Sequence, residues 1–292
     1  MKAQSSMPHA WLWLNGRFVR EEDARISPLD RGVQYGDGVF ETLRVERGQP
    51  LYLKCHLERI SQSLHWLRIS TENFPHWRGV LQHLVQLNEL EGKTAAAKIL
   101  VTRGVSPQMG TPLSHRPTLS CFLRPFSTPE DSAYHQGLRL HVYSHEAAPS
   151  LARHKTLNYL FFQIARQAAL DQGKDESILL DFQGRITETS TGALLIRLNG
   201  QWRTPASPHR LPSTTLKAVA ALLHGMGEDV REETILPSHL HEAEAIWTLN
   251  SLMGIMPAKE VDGKPMPRKF RDTAHRLRTL WLKEGMKDSN GD

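Results

Sequence analysis

The sequence predicts a mixed α+β protein of two domains. Its 292 residues are enough for two separate cores, because single domains commonly hold about 100 to 150 residues. Stretches with strand-like alternation and stretches with helical spacing occur in both halves. Residues 124–130 break every periodicity between those halves. We therefore predict a small N-terminal α/β domain over residues 1–123, an interdomain linker over 124–130 and a larger C-terminal α+β domain over 131–292.

In the N-terminal half, each element follows from a local pattern. The apolar run that ends at Asn15-Gly16 is a strong hairpin signal. Leucine and isoleucine side chains at 57, 60, 64 and 67 recur on one face of a helix. The predicted elements are, in order, strands at 11–14 and 18–19, a strand at 39–45, a turn at 46–48, a strand at 51–53, helices at 57–67 and 77–90, and strands at 97–102 and 118–123.

The C-terminal half shows the same mixture of patterns. Gln183-Gly184 and Asn199-Gly200 mark two turns between strands. The predicted elements are, in order, a strand at 138–143, a helix at 158–171, strands at 177–181, 185–187 and 193–198, a helix at 216–223, and strands at 243–249 and 255–261. On the first of these helices, the side chains expected to face inward are Leu160, Phe161, Ile164 and Ala168. The chain has no internal repeat, and its polar tail runs from Lys287 to Asp292.

Composition is that of an ordinary packed protein, with 39% hydrophobic and 23% charged residues. The net charge is +5, but the 36 basic residues are mixed along the chain with 31 acids, which disfavours a nucleic-acid surface. We interpret the densest basic cluster, Lys264 to Arg278, as the solvated face of a C-terminal helix. A modest positive balance suits an enzyme whose cofactor and substrate are anionic.

Membrane and metal proteins are disfavoured as well. The first 16 residues lack the apolar core of a signal peptide, and no run approaches the length of a membrane span. We therefore expect a cytoplasmic protein without a membrane partner. Cys55 and Cys121 have no cysteine or histidine neighbour at metal spacing, so we interpret them as structural thiols and expect no metal site.

Several polar residues occupy positions from which they could carry chemistry. Lys155 lies between a polar loop and an apolar helix, and Glu188 follows a strand. The residues that could bind an anion are Arg59 on the first helix, Ser213-Thr214-Thr215 at a helix start, and Ser251. Each has an ordinary structural interpretation when taken alone: a solvated lysine, an exposed acid, a surface arginine or a helix cap.

Four segments in order resemble the motifs of fold-type IV enzymes that use pyridoxal 5'-phosphate (PLP), the class IV aminotransferase family. They are Asp-Arg-Gly-Val-Gln-Tyr-Gly-Asp-Gly-Val-Phe-Glu at 30–41, His-Leu-Glu-Arg at 56–59, Lys-Thr-Leu-Asn-Tyr at 155–159, and Thr187-Glu188. The resemblance runs from about Trp13 to Asp262. It implies the two-domain fold of D-amino-acid aminotransferases, a homodimer, and PLP as the cofactor.

PLP needs a lysine for its aldehyde, an acid at the ring nitrogen, anion-binding groups for its phosphate, and a side chain over its ring. By resemblance, Lys155 is the catalytic Schiff-base lysine and Glu188 the partner of the ring nitrogen. The remaining cofactor contacts implied are Arg59, Thr214, Thr215 and Ser251 to the phosphate, Tyr159 to the ring hydroxyl, and Leu211 on the ring face. Two positions depart from the family pattern. Ser213 replaces a usual glycine, so a positive φ there would be strained, and the usual asparagine is missing near Ala193.

The segment Leu-Asn-Ser-Leu-Met-Gly-Ile-Met-Pro at 249–257 resembles the lyases of the family, and residues 102–110 lack the Arg-x-His arrangement of D-amino-acid enzymes. The predicted reaction is conversion of 4-amino-4-deoxychorismate to 4-aminobenzoate and pyruvate, a step of folate biosynthesis. The alternatives are an aminotransferase of branched-chain or D-amino acids and, from another class, a non-catalytic binding protein or a nucleic-acid binder. The substrate would be a small anionic amine with two carboxylates. Its candidate contacts are Tyr35, Phe40, Arg44, Lys98, Arg103 and Asn250, with solvated strand-end charges as the other interpretation of Arg44 and Lys98.

Overall fold

The computed structural model describes residues 10–288 and confirms a mixed α+β architecture with two compact units. The first unit holds the described residues up to Thr128, the segment His154–Asn158 and the residues from Gly285 onward. The second holds Pro129–Arg153 and Tyr159–Glu284. Residues 1–9 and 289–292 lie outside the described part, which leaves out much of the N-terminal segment weighed as a signal peptide and most of the predicted polar tail.

The lysine segment belongs to the first unit, whereas the sequence analysis assigned it to the C-terminal domain. The Phe40 N–H donates to the Lys155 carbonyl at 2.8 Å, and the Leu157 N–H donates to the Gly38 carbonyl at 3.0 Å. These hydrogen bonds join positions that are far apart in the sequence, so no local sequence pattern predicts them. The lysine is therefore fixed to the strand that carries Phe40.

The first unit is built on one antiparallel sheet. Its elements are β1 (Trp11–Leu14), β2 (Arg17–Arg20), α1 (Arg31–Tyr35), β3 (Gly38–Glu46), β4 (Gln49–Pro50), α2 (Leu53–Leu67), α3 (Trp77–Leu87), β5 (Thr94–Thr102) and β6 (Thr118–Pro125). The strand order is β2-β1-β6-β5-β3-β4. Every pairing in this sheet is antiparallel.

Turn chemistry explains one prediction in this unit that is confirmed and one that is wrong. Asn15 and Gly16 have φ of 47° and 90°, as a two-residue hairpin with both central residues left-handed requires. The predicted strand at 51–53 does not form. Tyr52 has φ 52° and Leu53 already begins α2. The apolar residues there belong to a helix start rather than to a return strand.

The core of the first unit lies between the sheet and the helices α2 and α3. Its strand side comes from alternate residues of β3, including Val39, Leu43 and Val45. Its helix side includes Leu64 and Leu81, which are fully buried. Burial of each such side chain contributes about 1.5–3 kcal/mol. The face of β3 that carries residues 39, 41, 43 and 45 therefore packs against the helices.

The second unit contains a larger mixed sheet. Its elements are α4 (Asp131–Gln136), β7 (Leu138–Tyr143), α5 (Leu160–Asp171), β8 (Glu176–Leu180), β9 (Ile186–Thr189), β10 (Ala193–Leu198), β11 (Gln201–Pro205), α6 (Thr214–His224), β12 (Val230–Glu233), β13 (Ala245–Asn250), β14 (Gly254–Val261), β15 (Lys264–Pro265) and α7 (Arg271–Asp288), the last residues of which fall in the first unit. The strand order is β12-β11-β10-β13-β14-β7-β8-β9, and β15 pairs with β14.

Helix α5 confirms the predicted face only in part, because Phe161 and Ala168 pack against the core as partly buried side chains. Leu160 is 69% exposed and Ile164 is 45% exposed. The buried side chains are Phe162, Ala165 and Ala169. Apolar residues surround most of this helix, so spacing alone allowed two faces. The strands β7 and β8 select the face that carries Phe162.

The C-terminal basic cluster is only partly the solvated helix face that was predicted. Lys264 lies in β15, and α7 begins at Arg271. Arg278 is buried, with its guanidinium carbon 3.8 Å from the centre of the Tyr134 ring. Within residues 10–288, no helix combines the length and the apolar character needed to cross a membrane.

Candidate functional site

Lys155 lies beside an aromatic ring in the first unit. Its Nζ atom is 4.7 Å from the centre of the Phe40 ring, and the Nζ atom of Lys98 is 4.4 Å from the same centre. Lys98 pairs with Thr42 in the sheet, so its side chain is on the same face as Phe40. Phe40 is buried, and an aromatic face attracts an ammonium group. The structure thus brings two predicted lysines and one predicted phenylalanine together.

A glycine allows the lysine segment to lie close to the sheet. A Cβ atom on Gly38 would lie 2.4 Å from the Val101 carbonyl oxygen and 3.0 Å from the Leu157 side chain. Any other residue at this position would displace one of those neighbours. Asn158 adds a further contact by donating from Nδ2 to the Gly36 carbonyl at 3.1 Å.

His154 holds the other end of the segment. Its Nδ1 atom is hydrogen-bonded to the Ser63 hydroxyl at 3.1 Å, and its ring stacks on Trp66 with centres 4.4 Å apart. Both partners are on α2. The backbone of Lys155 is therefore anchored on both sides, while its amine remains next to Phe40.

Arg59 is held by a buried carboxylate. It donates to Glu41 from Nε at 2.7 Å and from Nη2 at 2.6 Å, and His56 Nδ1 is 2.7 Å from the same carboxylate. Glu41 and His56 are each 1% exposed. His56 and Arg59 are three residues apart on α2, so they share a face of the helix. We call this group the Glu41 cluster.

Arg59 was predicted as an anion contact, whereas no role was predicted for Glu41 or His56, which contact it. A signal was present, because Glu41 stands between Val39 and Leu43 on the core-facing side of a strand. A charged residue at such a position needs a buried partner. The histidine and arginine of the His-Leu-Glu-Arg segment supply it.

Charges within the Glu41 cluster fix its protonation. Burial alone would raise the pKa of Glu41, but the charges of Arg59 and His56 and their hydrogen bonds outweigh it and lower that pKa to about 2. Burial lowers the pKa of His56, and the positive charges of Arg59 and Lys155 lower it further, whereas Glu41 raises it; the net shift is downward. At neutral pH the imidazole is therefore neutral and donates from Nδ1 to an ionised Glu41. A permanent carboxylate then orients the arginine.

We expect Glu41→Gln to remove part of the acid sensitivity of folding. A carboxyl group whose folded-state pKa lies below its unfolded value of 4.5 stabilises the protein above pH 4.5, and that contribution is lost as the pH falls toward 2. A difference of that size is worth on the order of 3 kcal/mol. Urea unfolding at several pH values should show the gap between wild type and variant narrowing by that amount from pH 6 to pH 2. A constant gap would contradict the account.

Arg103 was predicted to contact substrate, but in the structure it is buried and bound to Asp37. Its side chain is 0% exposed and donates to Asp37 from Nε at 2.7 Å and from Nη2 at 3.0 Å. Nη2 also donates to the Leu67 carbonyl at 2.7 Å, and Nη1 donates to the Pro112 carbonyl. Arg31 donates to the same Asp37 at 2.8 Å. These contacts make Arg103 a structural residue that ties the loop after β5 to the body of the unit.

Arg103→Leu should destabilise the protein by about 3–5 kcal/mol, because it leaves Asp37 with part of its charge uncompensated in a buried setting. The free energy of unfolding in urea measures this loss. Arg116→Leu is the matched control, since Arg116 is an exposed arginine of the same loop and exposed substitutions usually change stability by less than about 0.5 kcal/mol. Equal stability of the two variants would refute the structural assignment.

Arg44 also differs from its predicted role, whereas Lys98 is better placed for it. The Arg44 side chain is 4% exposed and is bound to Glu46 at 2.7 Å and to the Thr128 hydroxyl at 2.9 Å. Its charge is thus compensated internally. Burial, together with the charge of Arg124, lowers the pKa of Lys98, so an anion beside Lys98 would be stabilised. Tyr35, a further predicted substrate contact, is 59% exposed at the end of α1.

In the second unit, Glu188 is a buried acid at the end of β9. It is 5% exposed, and the Leu211 N–H donates to its Oε1 atom at 3.2 Å. The structure therefore brings two predicted cofactor contacts together. Tyr159 lies near the same strand end, since its hydroxyl donates to the Ser190 carbonyl at 3.2 Å.

Helix α6 begins at Thr214, and its cap removes the expected strain at Ser213. Ser213 has φ −83°, not a positive φ, and its hydroxyl accepts from the Leu216 N–H at 3.1 Å. It is an ordinary N-cap, worth about 1 kcal/mol. Thr214 and Thr215 are both buried in the first turn, where helix N–H groups and the helix dipole favour an anion.

Residues 251–253 form the turn between β13 and β14, and the side chain of Asn250 caps it from inside. Its Oδ1 atom accepts from the Leu252 N–H at 3.1 Å and from the Met253 N–H at 2.8 Å. We call residues 251–253 the Ser251 turn. Gly192 allows close approach here, because a Cβ atom on it would lie 2.4 Å from the Leu249 carbonyl oxygen. The end of β13 therefore packs beside the start of β10.

Each unit by itself meets part of what PLP requires. The first has an amine next to an aromatic ring and an arginine fixed by an ionised acid. The second has a buried carboxylate and a helix start with two buried threonines. In the part of the chain that the structure describes, no group of three or more histidine, cysteine or acidic side chains is arranged to hold a metal ion.

Comparison with known proteins adds independent findings. The sequence model of the family Amino-transferase class IV matches residues 38–261. A putative branched-chain-amino-acid aminotransferase of Methanocaldococcus jannaschii is 31% identical over 290 residues, covering 92% of this chain and 97% of that protein. The aminodeoxychorismate lyase of Bacillus subtilis is 26% identical, with 94% of each chain covered.

Solved structures show the same fold. A hypothetical aminotransferase from Mycobacterium tuberculosis, solved in its PLP-bound form, superposes with a TM-score of 0.82 at 21% identity, covering 96% of this chain and 100% of that chain. The likeness at this level of identity concerns the architecture. It confirms the predicted two-domain fold.

Proposed function

Because the chain belongs to the class IV aminotransferase family, we propose that it is a PLP-dependent lyase that converts 4-amino-4-deoxychorismate to 4-aminobenzoate and pyruvate. Relatives named as lyases and relatives named as aminotransferases both match the chain. The relatives therefore do not distinguish the two reactions, and the residues of the site must do so.

The Asn250 cap of the Ser251 turn is the observation that carries this proposal. Asn250 occupies the N–H groups of Leu252 and Met253, so these two donors are not available to a substrate carboxylate. The aminotransferases of the family more often have small hydroxyl residues or glycine here. Leu252 and Met253 in this turn are large and apolar, which suits an aromatic product better than a small amino acid.

We propose that the residues implied by the family resemblance bind the cofactor. Lys155 attaches it covalently, and Glu188 faces its ring nitrogen. Arg59, Thr214, Thr215 and Ser251 bind its phosphate, Tyr159 its ring hydroxyl and Leu211 its ring face. Once bound, PLP supplies the electron sink that accepts the pair left on the amine-bearing carbon.

Lys155 is proposed to move the proton. Released by the substrate amine, its neutral Nζ removes the proton from the amine-bearing carbon. The bond between the ring and the enolpyruvyl oxygen breaks, and Lys155 returns the proton to the departing fragment, which leaves as pyruvate. Loss of that fragment makes the ring aromatic. Phe40 lies beside the Nζ atom, where its ring face stabilises the ammonium form.

Lys98 is proposed to bind a substrate carboxylate, because it lies on the same ring as Lys155 and its burial favours an anionic neighbour. We expect Lys98→Met to raise KM about tenfold or more, the cost of one charge-assisted hydrogen bond, and to leave PLP affinity unchanged. Lys93→Met, at an exposed lysine just before β5, is the control. An unchanged KM would remove Lys98 from the substrate site.

The deciding experiment offers the PLP form of the protein two kinds of substrate. With 4-amino-4-deoxychorismate, the proposal expects equal amounts of pyruvate and 4-aminobenzoate. With an amino donor, an aminotransferase would instead give a stable pyridoxamine form that 2-oxoglutarate reverses. That alternative is favoured by the 31% identity to the archaeal relative, and its observation without lyase products would overturn the lyase proposal.

Two further expectations stay predictions. The resemblance implies a homodimer, which light scattering on the eluted protein would test. We also propose a cytoplasmic location, which cell fractionation would test. Failure of the purified protein to take up PLP, with no visible absorbance, would favour a non-catalytic binding protein.

A further inference from the structure

The Ser251 turn is held from outside by two helices of the same unit. The Met253 carbonyl accepts a hydrogen bond from the Tyr134 hydroxyl at 3.0 Å and another from Arg278 Nε at 3.3 Å. Tyr134 is in α4 and Arg278 is in α7. Both are buried, with exposures of 1% and 7%. One carbonyl oxygen thus receives two donors from different elements.

Tyr134 and Arg278 also hold each other. The Arg278 guanidinium carbon lies 3.8 Å from the centre of the Tyr134 ring, a close cation–π contact. The same two side chains therefore contact each other and the Met253 carbonyl. The pair is therefore a preformed support with its two donors directed at one atom.

The residue after the turn is fixed as well. Gly254 has φ 76°, and a Cβ atom there would lie 3.0 Å from the Trp281 ring. Trp281 is one helical turn beyond Arg278 in α7. Asn250 therefore binds two N–H groups of the turn, and Tyr134 and Arg278 bind its Met253 carbonyl. The Trp281 ring leaves no room for a side chain at Gly254. Little freedom remains for Ser251.

We infer that Tyr134 and Arg278 are positioning residues that set the affinity of the Ser251 turn for the phosphate of the cofactor. This inference rests on the proposed function, which makes Ser251 a phosphate contact. The two residues act through the Met253 carbonyl and touch neither cofactor nor substrate. Helix α7, which lies beyond the residues matched by the family model, thereby supports the cofactor site indirectly.

The test compares the affinities of PLP and pyridoxal, which lacks the phosphate. Apoprotein is titrated with each compound, and the dissociation constants are read from absorbance. Tyr134→Phe deletes one donor to Met253 and keeps the ring under Arg278. Loss of a hydrogen bond of ordinary strength should raise the Kd for PLP about threefold to tenfold and leave the Kd for pyridoxal unchanged. Arg278→Met should do the same.

Tyr143→Phe is the matched control, because Tyr143 is another buried tyrosine of the second unit, located on β7. It should change neither constant. If Arg278→Met fails to fold, as judged by circular dichroism, Tyr134→Phe alone carries the test. An equal rise for PLP and pyridoxal, or no rise, would overturn the inference while leaving the proposed function intact. A wild-type protein that does not bind PLP would overturn both.

Discussion

Lys155→Ala is expected to abolish turnover, with a fall of at least about 1,000-fold, because one change removes both the covalent attachment of PLP and the proposed base. The variant should also lose the visible absorbance of lysine-bound PLP. Its fold should persist, since the hydrogen bond from the Phe40 N–H uses the backbone carbonyl at position 155. Steady-state rates, absorbance and circular dichroism measure the three effects.

Lys98→Ala is the sharpest control for this prediction. Its amine lies 4.4 Å from the centre of the same aromatic ring that Lys155 approaches to 4.7 Å. Geometry around Phe40 alone does not separate the two lysines. The variant Lys98→Ala should keep the visible band. If the band instead survives in Lys155→Ala and disappears in Lys98→Ala, the roles assigned to the two lysines are exchanged.

Glu188→Gln is expected to lower the rate by about 100- to 1,000-fold, the usual loss when one electrostatic contact to a reacting system is removed. The ring nitrogen of PLP would lose its anionic partner and accept electrons less well. Glutamine retains an oxygen that can accept the Leu211 N–H, now 3.2 Å from Oε1, so the fold is expected to survive.

The pH dependence separates electronic from structural effects of Glu188→Gln. The absorbance and rate of the variant should depend on pH in a way that the wild type does not, because its ring nitrogen can then lose its proton. Glu260→Gln is the control, since Glu260 pairs with Lys174 on the same unit. A Glu188→Gln variant with the wild-type rate would remove this residue from the site.

Local signals explain most of the fold that the sequence predicted. Asn15-Gly16 and Asn199-Gly200 both adopt positive φ values, and both hairpins were predicted from those dipeptides. The short helices α1 and α4 were missed, because five or six residues carry too little periodicity. The predicted face of α5 was right for Phe161 and Ala168 and wrong for Leu160 and Ile164, because the apolar residues of this helix are not confined to one side.

Candidate site residues lie close together where a motif carried them, as Lys155 and Phe40 do, whereas contacts between residues distant in the sequence were not predictable. Asp37 binds Arg103 across a sequence separation of 66 residues, and nothing near Arg103 in the sequence shows this. Arg44 likewise finds Thr128 far along the chain. Arg103 and Arg44 were predicted to contact substrate because the sequence alone does not show whether an arginine is bound to another residue of the protein.

The Glu41 cluster could have been predicted in part from the alternation of side chains along β3. An acid on the core-facing side of β3 and a histidine and arginine three residues apart on the next helix are each visible in the sequence. Their meeting requires that the strand pack on that helix. The burial of Glu41 beside Arg59 and its pKa of about 2 mean that the carboxylate facing the arginine is ionised at neutral pH.

The location of the covalent bond to PLP tests the account most directly. The purified protein, loaded with PLP, is reduced with borohydride, digested and analysed by mass spectrometry. The account predicts one phosphopyridoxyl group, attached to the peptide that contains Lys155. Attachment to Lys98 or to another lysine, or no attachment to a protein that has taken up PLP, would contradict it.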